Sequence, residues 1–201
     1  MHYLPHLQND AVLASIISAP LPVLESQSNM PLKLMGSIMS QQLSTKVAAV
    51  IYQRFIQLVN SPEPTPQQVL ALSAVDLRAI GLSHAKIQYV HNVAQFCIDH
   101  QITDTLLAQM TDDAIVELLT QIKGVGRWTV EMLLMFGLGR EDVFAVDDLG
   151  IHQAMVRVYQ LTETNKKQLK TQMMAIADRW KPYRTYACMY LWRYKDAPTI
   201  S

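Results

Sequence analysis

Cysteine is almost absent from this chain. Two stand among 201 residues, Cys97 and Cys188, far apart and outside any Cys-x-x-Cys or Cys/His spacing. A cysteine-bound zinc or iron–sulfur cluster is therefore excluded, and a disulfide framework is not expected. The six histidines do not fall at metal-ligand spacing either, so no catalytic metal and no required cofactor are expected. An excess of one charge is missing too, since 17 Lys and Arg balance 17 Asp and Glu. Proteins that coat nucleic acid are usually basic. Any DNA contact must then come from a local patch, with modest non-specific affinity. There is no apolar run of about 18 residues and no signal-peptide pattern. The expectation is a soluble intracellular protein, of cytoplasm and nucleoid or of a nucleus, with no membrane partner. Strand signals are lacking as well: no segment alternates Val and Ile throughout, and no Asn-Gly hairpin occurs. Tandem repeats and low-complexity tracts are absent.

What is present is apolar and helical. Half of the residues are hydrophobic, enough for a well-filled core in one domain or two small lobes. The pattern reads as all-α, with about ten short helices. Ala11–Ile17 is the one helix expected before residue 30, with Pro5, Pro20 and Pro22 as breakers. Residues 31–59 have the apolar spacing of a long helix or two, interrupted at Ser40-Gln41-Gln42-Leu43-Ser44-Thr45, where Ser44 and Thr45 are good cap types. Thr65-Pro66-Gln67-Gln68 looks like a helix start with proline at its first position. Ser73 opens a short helix that stops at Gly81, and Ser83 caps Ala85–His100. Thr111-Asp112-Asp113 opens a helix ending near Thr120. Further helices follow around Ile151–Val158, over Asn165–Trp180, and from Tyr183 to Arg193.

One stretch, residues 119–150, organises the rest. A hairpin Ile122-Lys123-Gly124-Val125-Gly126 separates the helix ending near Thr120 from one running from Arg127 to about Phe136. Gly124 and Gly126 permit backbone conformations that a Cβ would penalise. They leave amides at the start of the second helix, where a phosphate is favoured. The acidic pair Asp147-Asp148 arrives one helix and one loop later. A tight turn between packed helices is the plain alternative for Gly-x-Gly.

The surrounding residues resemble those of the helix-hairpin-helix (HhH-GPD) superfamily of DNA glycosylases, in its alkylpurine branch, the 3-methyladenine DNA glycosylase II type. Leu119, Ile122, Gly124, Val125, Gly126, Arg127, Trp128 and Thr129, then Asp148, carry the likeness. Three stretches agree with it in order: Ser40 to Ser44 with Ala48-Ala49; Leu77-Arg78 with Gly81-Leu82-Ser83, Lys86 and Tyr89; and Trp180 to Arg184 with Ala187, Tyr190, Leu191, Trp192 and Arg193. The likeness runs from about residue 25 to 194 and is specific as a set. The chain departs from the family pattern in the loop Gly139–Asp148, which has one glycine and no proline.

The resemblance implies a two-lobed helical fold with an active cleft between lobes: 25–140 as the lobe with probing loop and hairpin, 1–24 plus 141–201 as the lobe carrying the acid. It implies hydrolysis of the N-glycosidic bond of alkylated purines in duplex DNA after the nucleotide is flipped out. Asp148 becomes the catalytic carboxylate and Asp147 the preferred helix cap. Trp128, Trp192, Met132 and Tyr183 become the base pocket, whose rings favour a cationic base. In lyase-competent members the position of Trp128 is a Schiff-base lysine, so a monofunctional enzyme is implied. Leu43 is the expected wedge in the duplex, flanked by Gln42 and Ser44. Lys46, Lys86, Lys123 and Arg127 join Gly124 and Gly126 as candidate phosphate contacts. The carbonyls of Thr120, Ile122 and Val125 match positions that hold a monovalent cation, Na+ or K+, at family hairpins. The expected state is a monomer on double-stranded DNA. Two rivals stand beside this reading: a helix-hairpin-helix module that binds DNA without cutting, and a glycosylase for another lesion such as ethenoadenine or hypoxanthine.

Overall fold

The computed structural model describes residues 1–197, the side chain of Thr45 apart. The described chain holds thirteen α-helices and one 3-10 turn, and no strand. In order they are α1 (Leu4–Leu7), α2 (Ala11–Ala14), α3 (Met30–Ser40), α4 (Thr45–Val59), α5 (Pro66–Leu70), α6 (Ala74–Ala79) and α7 (His84–Asp99). There follow α8 (Asp104–Gln109), α9 (Asp112–Leu119), α10 (Arg127–Phe136), α11 (Leu149–Val158), α12 (Lys166–Ala177), the 3-10 turn Asp178–Trp180 and α13 (Arg184–Asp196). No helix among the described residues is long and apolar enough to cross a membrane. The chain folds as two compact units, Ser26–Leu138 and Met1–Glu25 with Gly139–Ser201.

In the Ser26–Leu138 unit, α3 packs on α4, α7 and α10. Its buried Leu34, Met35 and Ile38 meet a core shared with Phe55, Val90, Val93, Val130, Leu133 and Leu134. Burying each such side chain contributes roughly 1.5–3 kcal/mol before chain entropy is counted. Helix starts here are written in hydroxyls. Ser44, Thr65, Ser73, Ser83, Thr103 and Thr111 each accept a backbone N–H from the first turn of α4 through α9 in succession. Thr65 completes a capping box with Gln68. The next start, at α10, breaks the series: its cap is Gly126, which has no side chain to offer.

The other unit packs α11 on α13. Ile151, Ala154 and Met155 are buried there, as are Ala187, Cys188, Tyr190 and Leu191. Asp10 caps α2 through the amides of Val12 and Leu13 and receives Tyr159 Oη (2.9 Å), Trp180 Nε1 (3.1 Å) and the Arg179 guanidinium (3.0 Å). Burial alone would raise this carboxyl, but those donors outweigh it and hold it below the ordinary value.

Three expectations need correction. Pro5 does not break the chain but sits in the first turn of α1, where its missing N–H costs nothing. The helix from Ala11 ends at Ala14 instead of Ile17. Helix α8 was not anticipated, although Thr103 caps it and Asp104 stands in its first turn; the two Asp104 oxygens also accept the amides of Asn29 and Met30 at the start of α3.

Candidate active site and DNA-contact elements

The loop Gly139–Asp148 delivers the acid without the glycines and prolines that would stiffen it. Gly139 makes the turn at φ +67. After it, side chains at the start of α13 fasten the loop. Arg184 grips Asp142 through Nε (2.7 Å) and Nη2 (3.0 Å). The Thr185 hydroxyl donates to Arg140 O (2.7 Å) and accepts from Val143 N (3.0 Å), and Tyr186 Oη donates to Glu141 (2.8 Å). Val143, Phe144, Ala145 and Val146 are then all buried. An anchored apolar run does here what a rigid backbone would otherwise do.

Asp148 follows, half-buried, at the N-cap of α11. Its Oδ1 accepts Ile151 N at 2.8 Å and Trp192 Nε1 at 2.8 Å. The expected division of labour between the two acids is thereby corrected. Asp147 is not the cap; it is exposed and paired with Lys170 at 2.7 Å. Asp148 is both the cap and the acid oriented by an indole. Trp192 reaches it from α13, two turns beyond the loop anchors, which is why the same helix that fixes the loop can fix its carboxylate. Gly150 makes room: a Cβ there would stand 3.1 Å from Asp148 Oδ1 and 3.1 Å from Trp192 Cδ1. Sequence reasoning passed over Gly150, although glycine in the first turn of a helix is a costly choice of roughly 1 kcal/mol against alanine. Tyr183, expected in the base pocket, makes ring contacts with His2, His6 and Tyr186.

In the other unit the hairpin stands on α7. Gly124 has φ +105, and a Cβ there would lie 2.2 Å from Tyr89 Cγ, so both backbone and space demand glycine. Asn92 Nδ2 donates to Lys123 O at 3.0 Å from the next turn of α7. Gly126 differs from the expectation. Its φ is −94 and a Cβ would meet nothing within 4 Å, so no strain calls for glycine. What its missing side chain does is leave the N-terminus of α10 open. The amides of Gly124, Gly126 and Arg127 donate to no acceptor among the described residues. Such amides at the positive end of a helix suit an anion.

Arg127, a candidate phosphate contact, gives its Nε to the buried Glu131 (2.9 Å), although its side chain is 58% exposed. Trp128, Met132 and Phe136 follow at four-residue intervals on one side of α10, Trp128 and Phe136 each 39% exposed and Met132 half-buried. The carbonyls of Thr120 and Val125 accept no hydrogen bond among the described residues, and Ile122 O accepts only Val125 N (3.0 Å). All three carbonyls therefore keep lone pairs to spare.

The loop between α3 and α4 is a tight turn. Leu43 N donates to Ser40 O at 3.1 Å, with Gln42 at φ +58 in the left-handed region. Leu43 is exposed, and the Ser44 hydroxyl caps α4. Lys46 and Lys123 are exposed charges, whereas Lys86 is not a solvent-facing phosphate contact. Its half-buried ammonium donates to Met39 O (3.0 Å) and Gln41 O (2.7 Å).

Residues 35–182 match the family model described as HhH-GPD superfamily base excision DNA repair protein. The chain belongs to the HhH-GPD superfamily. Within that superfamily it is 36% identical over 163 residues to DNA-3-methyladenine glycosylase 1 of Schizosaccharomyces pombe, covering 80% of this chain and 70% of that one. YfjP of Bacillus subtilis is 33% identical over 166 residues, again 80% of this chain, which spans 57% of that relative. Among solved HhH-GPD structures, the Schizosaccharomyces pombe 3-methyladenine DNA glycosylase Mag1, in complex with abasic DNA, superposes with a TM-score of 0.82 at 31% identity, covering 96% of both chains. A DNA-3-methyladenine glycosidase from Bacillus halodurans gives a TM-score of 0.81 at 34% identity, covering 96% of this chain and 88% of that one.

Proposed function

We propose that this HhH-GPD protein is a monofunctional DNA glycosylase that hydrolyses the N-glycosidic bond of alkylated purines, 3-methyladenine among them, in duplex DNA. The observation that carries the proposal is Asp148, a half-buried carboxylate whose Oδ1 is held by Ile151 N and Trp192 Nε1. In the reaction the C1′–N bond breaks and its electron pair leaves with the base. Positive charge develops on the sugar, as in other glycoside hydrolyses. The fixed carboxylate stabilises that charge and directs water to C1′, taking up or relaying its proton. Alkylation of a ring nitrogen makes the base cationic and its bond weak, so Trp128 favours it through its electron-rich face. Met132, one turn on, leaves that contact softer than a second ring would.

The hairpin supplies the grip. Amides of Gly124, Gly126 and Arg127 bind a backbone phosphate, and the carbonyls of Thr120, Ile122 and Val125 hold a Na+ or K+ that bridges hairpin and phosphate without entering the chemistry. Leu43 fills the stack that the flipped nucleotide leaves. The enzyme acts as a monomer on double-stranded DNA. Tryptophan at position 128 has no amine for a Schiff base, so borohydride should trap no covalent complex with abasic or lesion DNA; a trapped adduct would contradict the monofunctional assignment.

The test is an abasic-site assay over duplexes with one lesion each. Strand scission by alkali should appear with 3-methyladenine or another alkylated purine. Scission with ethenoadenine or hypoxanthine alone would move the substrate to that lesion. Duplex binding with no abasic product from any of them would leave a non-catalytic DNA-binding module.

A further inference from the structure

The turn between α3 and α4 has little of its own to hold it. Its backbone places Gln42 at φ +58, a conformation that costs a non-glycine residue free energy. The carbonyls at the end of α3 have no helical partners to come. Two side chains from elsewhere in the same unit reach the turn. Gln41 Nε2 meets Thr129 Oγ1 at 3.3 Å, at the long end of hydrogen bonding. Lys86 Nζ does more, spanning Met39 O and Gln41 O at 3.0 and 2.7 Å. A cation on two orphan carbonyls at the negative end of a helix is a favourable contact, and stronger than a neutral hydrogen bond. Lys86, Tyr89 and Asn92 recur every three residues along α7. The first touches the turn, the second underlies Gly124 and the third holds Lys123 O. One helix therefore sets the turn and the hairpin in register.

We propose that Lys86 is a positioning residue, whose ammonium clamps the Met39 and Gln41 carbonyls so that the strained turn keeps Leu43 presented outward for insertion into duplex DNA. The inference rests on the excision activity proposed above, and on the wedge role of Leu43 within it. Without the clamp, Gln42 relaxes to an extended conformation and Leu43 loses its fixed place. Base extrusion then suffers, while the chemistry on a base that is already unpaired does not.

The test compares Lys86→Met, Lys86→Arg, Leu43→Ala and the Lys86→Met/Leu43→Ala pair, each in the full chain. Single-turnover excision is measured on one lesion in a duplex and in a single strand of the same sequence. Lys86→Met and Leu43→Ala should each slow duplex excision about tenfold, with single-strand excision held within about twofold. The pair should be no slower than the slower single variant, since both act through one side chain. Lys86→Arg should recover most of the duplex rate. An equal fall on both substrates, an unchanged duplex rate, or losses that multiply in the pair would overturn the proposal. Hydrogen exchange at the Leu43 amide, bonded to Ser40 O, gives a readout that needs no catalysis: Lys86→Met should speed it about tenfold or more. Wild type that excises nothing while Lys86→Met loosens Leu43 would sink the excision reading and keep the clamp. Active wild type with unchanged exchange in Lys86→Met would sink the clamp alone.

Discussion

The Ser26–Leu138 unit and the unit that carries Asp148 offer their functional groups in opposite ways. The first presents main-chain amides and carbonyls at residues 120–127, where side chains matter mainly for staying away or for bracing the turn, and it offers Leu43 and Trp128 as exposed apolar side chains beside them. Gly124 is compulsory because Tyr89 fills the space beside it, whereas Gly126 has room and simply bears nothing. The second unit presents one side chain, and every nearby feature converges on its atoms: the loop anchors, the α11 cap, the Trp192 indole and the gap at Gly150. A backbone site is robust to exchange of exposed side chains and fragile to an added Cβ. A side-chain site is fragile instead to exchange of the one carboxylate and of the groups that hold it, Gly150 included, and substitutions in the two units should fail in different assays.

The sharpest break in that contrast should come at Asp148. Asp148→Ala removes acid and cap together, so single-turnover excision should fall by ~10³-fold or more, and chemical denaturation should register a loss of about 1 kcal/mol from the uncapped α11. Gly124→Ala comes next, with its damage in stability and binding. A φ of +105 and a Cβ 2.2 Å from Tyr89 Cγ should cost about 1–3 kcal/mol and weaken duplex binding. Gly126→Ala is its control, with stability within about 0.5 kcal/mol of wild type but weaker duplex affinity, as expected if a backbone phosphate sits on the open start of α10. Trp192→Phe keeps a ring and removes one N–H to a carboxylate. Excision should slow by ~10-fold, and an unchanged rate would mean that the ring alone matters at 192.

The smallest effect on catalysis should come from Asp10, which is wholly structural. Its folded carboxyl lies below the ordinary value, so its contribution is present above the carboxylate range and is lost as pH falls through the folded value. Asp10→Asn should therefore lower the urea midpoint at pH 7, with the gap to wild type closing below about pH 4. Excision by the folded variant should be unaffected.

Much of the fold was written in local chemistry. Residues 127–136 announced α10 through the glycines before it and the apolar spacing within it. Ser44, Thr65, Ser73, Ser83 and Thr111 marked helix starts by the same hydroxyl logic. Thr103-Asp104 carried the same signal for α8, a helix as short as the α6 that Ser73 marked. The candidate site divides differently. Asp147 and Asp148 look alike in sequence, and their roles are separated by Lys170, 23 residues away, and by Trp192, 44 residues away. Lys86 looked like a surface charge because its two carbonyl acceptors lie more than forty positions earlier in the chain. Arg127 was singled out for its charge, whereas Glu131 one turn on already claims its Nε. Residue types and spacing reveal caps, turns and glycine positions. Partners chosen across the fold leave no local trace.

The most direct measurement is single-turnover excision by Asp148→Asn from a duplex bearing one alkylated purine, with lesion-duplex binding and thermal unfolding measured on the same preparation. Asparagine caps a helix about as well as aspartate, so folding should hold while the negative charge is gone. Carboxylate catalysis at Asp148 requires excision to fall by ~10³-fold or more, with binding and unfolding temperature close to wild type. Excision at a rate near wild type from a well-folded Asp148→Asn would contradict it.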